Sequence, residues 1–375
     1  MKLFDVYPLY NVTPVSAKGI VVTDDKGQDY LDFYGGHAVI SIGHSHPHYI
    51  KRLKDQLDKI GFYSNAVQNP LQEELAEKLG RQSGCEDYNL FMCNSGAEAN
   101  ENALKMASFV TGKSKVIAFK NGFHGRTSAV VAATDNPSIN APINQQQKVN
   151  FLELNDIKGF ENEIVKKNVC AVIIESIQGV GGLDEPTTEF FQKVASLCKE
   201  NGVFLIADEV QCGFGRSGKF FGFQHHDIQP DIISIAKGMG NGFPVGGILI
   251  HEGISAKFGM LGTTFGGNHL ACVATLAVLE VLEQENLIQN AEELGLYFNE
   301  KAKEIPQVKR VKGRGLMLGL EFDFQVADLR KKLIYDHHLF TGGAKDKTVL
   351  RILPALNITK QDLDIFFKAL KTALA

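Results

Sequence analysis

The stretch Val203-Phe204-Leu205-Ile206-Ala207-Asp208-Glu209-Val210-Gln211 places polar and acidic residues directly after an apolar run. Further along, Ile232-Ile233-Ser234-Ile235-Ala236-Lys237 ends in a lysine in the same way. Both runs are short and continuously apolar, which is typical of strands covered by helices on both faces. Ligands bind at the carboxyl ends of strands in parallel α/β sheets, so Asp208, Gln211 and Lys237 are predicted to share one sheet edge.

Working outward, further apolar runs alternate with helical patterns between about residues 85 and 250. This alternation predicts parallel strands joined by crossover helices. The additional runs lie at residues 89–92, 116–119, 171–174 and 247–250. A single polar residue at a strand end is often structural, but polar groups after four such runs favour a site. We therefore predict an α/β fold with a mainly parallel central sheet.

The character of the chain changes near residue 270. Residues 290–375 carry an amphipathic helix, short strands at 316–321 and 349–352, and a closing helix whose Thr359 and Asp362 have the spacing of a capping pair. A strand at 30–33 follows the turn Asp25-Lys26-Gly27. We predict a large domain over 46–270 and a smaller α+β domain built from 1–45 and 271–375.

Charge and composition narrow the class of protein. The 375 residues are 44% hydrophobic and 22% charged, with 39 Lys and Arg against 43 Asp and Glu. The net charge of −4 gives no reason to expect nucleic acid or an anionic membrane as partner. There is no apolar run of about 18 residues, and the six cysteines are widely spaced, so we expect reduced thiols in a cytoplasmic protein.

The stretch Cys93-Asn94-Ser95-Gly96-Ala97-Glu98-Ala99-Asn100 predicts a strand that opens into a helix. Ser95 and Glu98 have capping-box spacing, and Gly96 leaves the first N–H groups accessible to an anion such as phosphate. An ordinary capped helix is the alternative. A lysine that can lose its proton and bind an aldehyde, together with an aspartate that keeps a pyridine nitrogen protonated, meets the requirements of pyridoxal phosphate.

At this point the residues resemble the class III, fold-type I, pyridoxal-phosphate-dependent aminotransferases, and among them the acetylornithine/succinylornithine aminotransferases. The resemblance covers nearly the whole chain. Its motifs are DF at 32–33, GHSHP at 43–47, NSGAEANE at 94–101, FHGRT at 123–127, DEVQ at 208–211, AKG at 236–238 and TFGGN at 264–268.

The resemblance implies a role for each matching residue. Lys237 would attach the cofactor and carry the proton, and Asp208 would pair with the pyridinium nitrogen. Arg126 and Arg351 would bind substrate carboxylates, with Tyr10 as a further substrate contact. The other implied cofactor contacts are Phe123 stacked on the ring, Gln211 near its phenolic oxygen, Ser95, Gly96 and Ala97 at the phosphate, and Thr264 reaching the phosphate of a neighbouring subunit.

These roles describe a homodimer with shared active sites. The family pattern implies that it transaminates the terminal amine of an N2-acylornithine with 2-oxoglutarate and glutamate, in arginine biosynthesis. Ornithine and 4-aminobutyrate aminotransferases share the skeleton and stay open as alternatives, as does a non-catalytic protein of the same fold. The acyl group, acetyl or succinyl, is not fixed by the motifs.

One position departs from the family pattern. Most relatives have a second glutamate where this chain has Val180, in Glu175-Ser176-Ile177-Gln178-Gly179-Val180. In ornithine-type enzymes that glutamate pairs with the arginine matching Arg351. Without it we expect Arg351 to lack a carboxylate partner unless Asp184 or Glu185 reaches it, and we predict a preference for a succinyl over an acetyl donor.

Two competing readings remain. Gly112-Lys113-Ser114 resembles the end of a P-loop, but the first glycine of that motif is replaced by Ala107 within an apparent helix. Alternating histidines could bind metal, although histidines beside a proline more often form hydrogen bonds, and we predict no metal site. The histidines are His44, His46, His48 and the pairs at 225–226 and 337–338.

Overall fold

The computed structural model describes residues 1–375 and contains three sheets. The largest has seven strands in the order β4-β10-β9-β8-β7-β5-β6. The strands are β1 Pro14–Lys18, β2 Val21–Asp24, β3 Asp29–Asp32, β4 Tyr88–Cys93, β5 Lys115–Phe119, β6 Val149–Leu152, β7 Val169–Glu175, β8 Phe204–Asp208, β9 Ile232–Ile235, β10 Gly246–His251, β11 Arg310–Arg314, β12 Met317–Glu321, β13 Leu339–Phe340, β14 Gly342–Gly343 and β15 Val349–Ile352.

Helices cover the large sheet and fill the C-terminal third of the chain. They are α1 Gly35–Ala38, α2 Pro47–Leu57, α3 Pro70–Ser83, α4 Gly96–Thr111, α5 Ser128–Ala132, α6 Ile157–Ile164, α7 Thr188–Asn201, α8 His269–Gln284, α9 Leu287–Ala302, α10 Ala327–Tyr335 and α11 Lys360–Leu374, with short 3₁₀ turns at Pro137–Ile139, Pro142–Asn144, Gly222–His226 and Lys237–Met239. None combines the length and apolar composition that crossing a membrane requires.

All six predicted strands of the large sheet are present, and β6 is a seventh that the sequence analysis missed. The sheet is mainly parallel, as predicted, and the exception is β10, which pairs antiparallel with both β9 and β4. Only ten residues, 236–245, connect β9 to β10. A parallel crossover needs about a dozen or more residues, so this short connection returns the chain in the opposite direction.

Two four-stranded sheets lie outside the large one, in the orders β1-β2-β3-β13 and β11-β12-β15-β14. The first joins the two ends of the chain, because β13 pairs in parallel with β3 through Leu339 opposite Leu31. It therefore places the N-terminal segment beside the C-terminal region. The division into domains at 46–270 stays a prediction.

The predicted helix ends are present at two places that matter for the site. The Thr359–Asp362 capping box opens α11. At α4, Ser95 Oγ accepts the Glu98 N–H at 3.2 Å, whereas the Glu98 carboxylate accepts the N–H of Asn94 at 3.0 Å rather than that of Ser95. The N–H groups of Gly96 and Ala97 therefore remain available at the start of a 16-residue helix.

Candidate active site

A cavity of about 720 Å³ lies at the carboxyl ends of the large-sheet strands. It is lined by nine of the eleven residues that the sequence analysis selected as site residues. Strand ends that are distant in sequence converge here because parallel strands end at one edge. The nine residues are Ser95, Gly96, Ala97, Phe123, Arg126, Asp208, Gln211, Lys237 and Arg351.

Asp208 ends β8 and is buried at the bottom of the cavity. Its Oδ2 accepts hydrogen bonds from Asn100 Nδ2 at 2.8 Å and from the ring Nδ1 of His124 at 2.7 Å. Its Oδ1 accepts the Val210 N–H at 3.1 Å. These donors orient a buried carboxylate that would otherwise be costly to desolvate.

His124 is buried beside Asp208 and also lines the cavity. Burial by itself lowers the pKa of an imidazole, but the hydrogen bond to Asp208 and that residue's charge outweigh burial, so the pKa of His124 is raised. Because an ionised carboxylate can only accept, the Nδ1 of His124 donates in this contact. The pair therefore holds the carboxylate in one orientation toward the cavity.

Lys237 follows β9 and is mostly buried, with part of its side chain facing the cavity. Burial lowers the pKa of its amine, while Asp208 and Glu175 act in the opposite direction. Its backbone has φ +48°, a left-handed conformation that costs a non-glycine residue roughly 1–3 kcal/mol. Such strain recurs at functional sites, where the surroundings hold the side chain in place.

The start of α4 forms an anion cradle on one wall of the cavity. A side chain at Gly96 would bring its Cβ within 2.6 Å of Val210 Cγ1, and one at Gly125 would approach Ala97 Cβ at 2.9 Å. Both positions therefore need glycine for the loops to approach the helix start. The exposed N–H groups and the helix dipole favour a bound anion there.

Glu175 ends β7 and connects two loops of the site. Its Oε1 accepts the Phe123 N–H at 2.8 Å, and its Oε2 accepts the Gly179 N–H at 2.9 Å. Burial raises the pKa of Glu175 to about 7, partly offset by His124. The carboxylate thus positions both the loop that carries Phe123 and the loop that leads to Val180.

Gln211 lines the cavity and contacts the turn that follows β3. Its Nε2 donates to the carbonyl of His37 at 3.1 Å, whereas its buried Oε1 has no hydrogen-bond partner in the chain. A buried acceptor without a partner is unusual in a protein interior. It suits a ligand that presents a hydroxyl or N–H group to the cavity.

We call the residues Asn100, His124, Glu175, Asp208 and Lys237 the cavity floor. A second group, which we call the cavity rim, consists of Tyr34, His37, Arg330 and Arg351. His37 and Arg351 line the cavity, whereas Tyr34 and Arg330 do not. Floor residues come from or directly follow elements of the large sheet and its helix α4. Rim residues come from the turn after β3, from α10 and from β15.

Arg351 is buried in β15, and its contacts settle one expectation. Its Nε donates to the carbonyl of Gly343 at 2.6 Å and its Nη1 to that of Gly179 at 2.6 Å. No carboxylate forms an ion pair with it, as predicted from Val180. Asp184 and Glu185 do not substitute, because they pair with other cations: Lys312 and Arg310, and Arg314, respectively.

The rim contains three residues that the sequence analysis missed: Tyr34, His37 and Arg330. Residues 35–38 have φ between +55° and +68°, so they form a left-handed turn that includes two non-glycine residues. The Tyr34 hydroxyl lies 2.5 Å from His37 Nδ1, and the Arg351 guanidinium lies 5.9 Å from the Tyr34 ring. The pair Gly35-Gly36 before His37 was the signal that could have indicated such a turn.

Two predicted site residues are not brought to the cavity of this chain. Thr264 is exposed outside it. Tyr10 packs edge-on against Tyr335, with the Arg330 guanidinium 5.8 Å from its ring. Tyr7, three residues earlier, lines the cavity instead.

The competing motifs have structural explanations. Gly112 is the left-handed C-cap of α4, so Lys113 and Ser114 follow a helix end and cannot present a helix N-terminus to phosphate. The P-loop interpretation is therefore wrong. The alternating histidines contact carboxylates: His44 contacts Asp32 at 2.9 Å, His46 contacts Glu285 at 2.9 Å and His48 contacts Glu280 at 2.5 Å.

Comparison with known proteins adds the family. The family model described as aminotransferase class-III matches residues 6–374. The chain belongs to the class-III aminotransferases. It is an aminotransferase, and its cofactor is pyridoxal phosphate.

Relatives with assigned activities cover the whole chain. It is 40% identical to the acetylornithine aminotransferase of Bacillus subtilis (strain 168), over 100% of this chain and 97% of the relative. It is also 40% identical to that of Aquifex aeolicus (strain VF5), over 99% of each. Among solved structures, the ornithine aminotransferase of Toxoplasma gondii ME49 superposes with a TM-score of 0.90 at 28% identity, covering 98% of this chain and 91% of that chain.

The residues of this aminotransferase fit its cofactor. The cradle at Gly96 suits the phosphate, Lys237 offers a desolvated amine, and Asp208 offers a fixed carboxylate on the same cavity. The unpartnered Oε1 of Gln211 suits a ring hydroxyl. Together these groups offer a partner for the phosphate, the aldehyde, the ring nitrogen and the ring hydroxyl of the cofactor.

Proposed function

We propose that this enzyme transfers the terminal amine of an N2-acylornithine to 2-oxoglutarate, forming glutamate, as a step of arginine biosynthesis. The observation that carries the proposal is a single cavity with Lys237 and Asp208 on its floor and two carboxylate-binding candidates, Arg126 and Arg351, on its walls. The names of the full-length relatives, acetylornithine aminotransferases, support the donor class.

In this proposal each floor residue has one task. When bound, pyridoxal phosphate supplies an electron-withdrawing ring that stabilises negative charge on the carbon bearing the transferred amine. Lys237 would hold the cofactor until the donor amine takes its place, and its freed Nζ would then move the proton from that carbon to the cofactor carbon that receives the amine. Burial lowers the pKa of this amine, which favours the neutral form that the step needs. Asp208, fixed by Asn100 and His124, keeps the ring nitrogen protonated.

Other residues bind and orient. Ser95, Gly96 and Ala97 would hold the phosphate at the start of α4, Phe123 would stack on the ring, and Gln211 would contact the ring hydroxyl. Arg126 and Arg351 bind substrate carboxylates through planar guanidinium groups. The Phe123 loop is fixed to the floor by Glu175, which keeps the stacking ring from moving with the substrate.

A panel of four donors tests the activity. N-acetylornithine, N-succinylornithine, ornithine and 4-aminobutyrate are supplied in turn with 2-oxoglutarate, and glutamate formation is measured as kcat/KM. We expect one of the two acylornithines to be the best donor. A higher value for ornithine or 4-aminobutyrate would contradict the proposal and assign the enzyme to that branch of the family.

We also propose a homodimer with shared active sites, in which Thr264 reaches the phosphate of the neighbouring subunit. Thr264 is exposed and lies beside exposed Phe265, and Phe62 packs against Phe265 at 5.5 Å between ring centroids. Mixing Lys237→Ala and Thr264→Ala subunits should restore activity, because each heterodimer carries one site with neither lesion. Subunit exchange without recovery would exclude shared sites.

A cytoplasmic location stays a prediction from the cysteine pattern. All six cysteines are buried and unpaired, which is consistent with it.

A further inference from the structure

The cavity rim holds a second arginine that the proposed mechanism does not use. Arg330 extends from α10, and its Nε and Nη2 both donate to the carbonyl of Thr341, at 3.3 Å and 3.0 Å. Its guanidinium lies 5.8 Å from the Tyr10 ring. The residue is just outside the cavity lining, and no carboxylate forms an ion pair with it.

The two glycines of β14 bring Arg330 and Arg351 to one place. Gly343 accepts the hydrogen bond of Arg351 Nε, and a Cβ on Gly343 would lie 2.7 Å from Arg330 Nη1. A Cβ on Gly342 would lie 2.7 Å from the Tyr34 ring. Side chains at these positions would displace the groups that flank Arg351, so the glycines make the cluster possible.

The cluster is positively charged and lacks a compensating acid. The pKa of Arg351 is lowered, mainly by burial and also by the charge of Arg330, while Tyr34 acts in the opposite direction. The pKa of His37 is lowered to about 4 by burial and by Arg351, Lys237 and Arg330, so its ring is neutral at pH 7. Glu175, the acid whose charge reaches Arg351, already accepts two backbone N–H groups.

Neither guanidinium group forms an ion pair within the chain. Together they attract an anion, which a ligand in the adjacent cavity can supply. Val180 lines the same cavity and brings no charge to it. A donor whose acyl group ends in a carboxylate brings the missing charge, whereas a donor with a neutral acyl group leaves both arginines without one.

Building on the proposed N2-acylornithine activity, we propose that Arg330 and Arg351 form one anion site that binds the terminal carboxylate of the donor's acyl group. Arg330 is then a specificity-determining residue, and the enzyme prefers a dicarboxylic acyl donor, N-succinylornithine, over N-acetylornithine. A charge-assisted hydrogen bond changes affinity on the order of tenfold to a hundredfold, which sets the size of the expected preference.

The test compares kcat/KM for N-succinylornithine and N-acetylornithine in the wild-type holoenzyme, in Arg330→Ala and in Lys331→Ala. Lys331 is the matched control because it is the next residue of α10, carries the same charge and is 60% exposed. We expect the wild type to favour the succinyl donor. Arg330→Ala should lower kcat/KM for the succinyl donor by about tenfold or more and leave the value for the acetyl donor unchanged. Lys331→Ala should keep the wild-type preference.

A wild type that favours the acetyl donor would overturn the inference. An Arg330→Ala variant in which kcat/KM falls equally for both donors would overturn it as well. Val180→Glu gives a second test if Arg330→Ala does not fold. The new carboxylate beside the Gly179 carbonyl should compete for Arg351 and reduce the succinyl preference, and an unchanged ratio would count against the anion site. Failure of the proposed function looks different, because neither acylornithine would then be the best of the four donors.

Discussion

The cavity floor and the cavity rim are built in different ways and control different properties. The floor is held by short, buried hydrogen bonds within one sheet and its helix α4, as in the contacts of Asp208 with Asn100 and His124. The rim joins a left-handed turn near residue 37 to β15, more than 300 residues later. We therefore expect the floor to set whether the chemistry occurs and the rim to set which donor is used.

The strongest test of the floor is Lys237→Ala. Without the amine, the protein loses both its covalent attachment of the cofactor and its proton carrier, so transamination should fall by several orders of magnitude with every donor. Mass spectrometry after borohydride reduction should detect the added cofactor mass in the wild type only. Near-normal turnover in the variant would remove Lys237 from the floor's chemistry.

Asp208→Asn should have the next largest effect. The amide keeps the shape of the side chain but removes the charge that raises the pKa of His124 and would stabilise a protonated ring nitrogen. We expect kcat to fall on the order of a hundredfold for all donors, in line with the loss of one preorganised electrostatic contact. A change in donor preference without a fall in kcat would place Asp208 with the rim instead.

Glu175→Gln addresses the connection between the two regions. A glutamine amide cannot accept a hydrogen bond through its nitrogen, so either the Phe123 or the Gly179 N–H loses its partner. The Gly179 loop also carries the carbonyl that binds Arg351. We expect a shifted absorbance spectrum of the bound cofactor and a several-fold higher KM for 2-oxoglutarate.

The matched control for this variant is Glu209→Gln. Glu209 is equally buried and accepts two backbone N–H groups, from Gly222 at 2.7 Å and Phe223 at 3.0 Å, but it does not line the cavity. Its substitution should leave the spectrum and KM unchanged. Equal effects in the two variants would show that Glu175 acts only through general stability.

The smallest effect concerns stability and pH. Burial raises the pKa of Glu209 to about 7 from an ordinary value of 4.5, so the folded protein holds a proton that the unfolded chain has released between these values. The stabilising contribution is complete below the lower value and is lost as pH rises toward 7. Each pKa unit corresponds to about 1.4 kcal/mol.

Urea unfolding between pH 5 and pH 8 measures this effect. The free energy of unfolding of the wild type should fall relative to that of Glu209→Gln as pH rises through this window. The exposed Glu252→Gln serves as control and should parallel the wild type. A wild-type curve that rises relative to Glu209→Gln would contradict the predicted sign.

Much of the floor could be predicted because its signals are local. An apolar run followed by Asp208 or Lys237 shows a strand and its end within a few residues, and parallel pairing then brings the ends together. The glycine and serine at the start of α4 are equally local signals of an anion cradle. The apolar pattern left the direction of β10 open, because that direction depends on the length of the connection from β9.

The sequence by itself therefore determined the α/β class, the family resemblance, and the convergence of Asp208, Gln211 and Lys237 at one sheet edge. Only the tertiary structure decided the rim: that Arg330 lies beside Arg351, that Tyr34 and His37 stand on a left-handed turn, and that Asp184 and Glu185 pair elsewhere. The physical reason is that local patterns report periodicity and burial. The pairing of a charge depends on which distant segments the completed fold brings within a few ångströms.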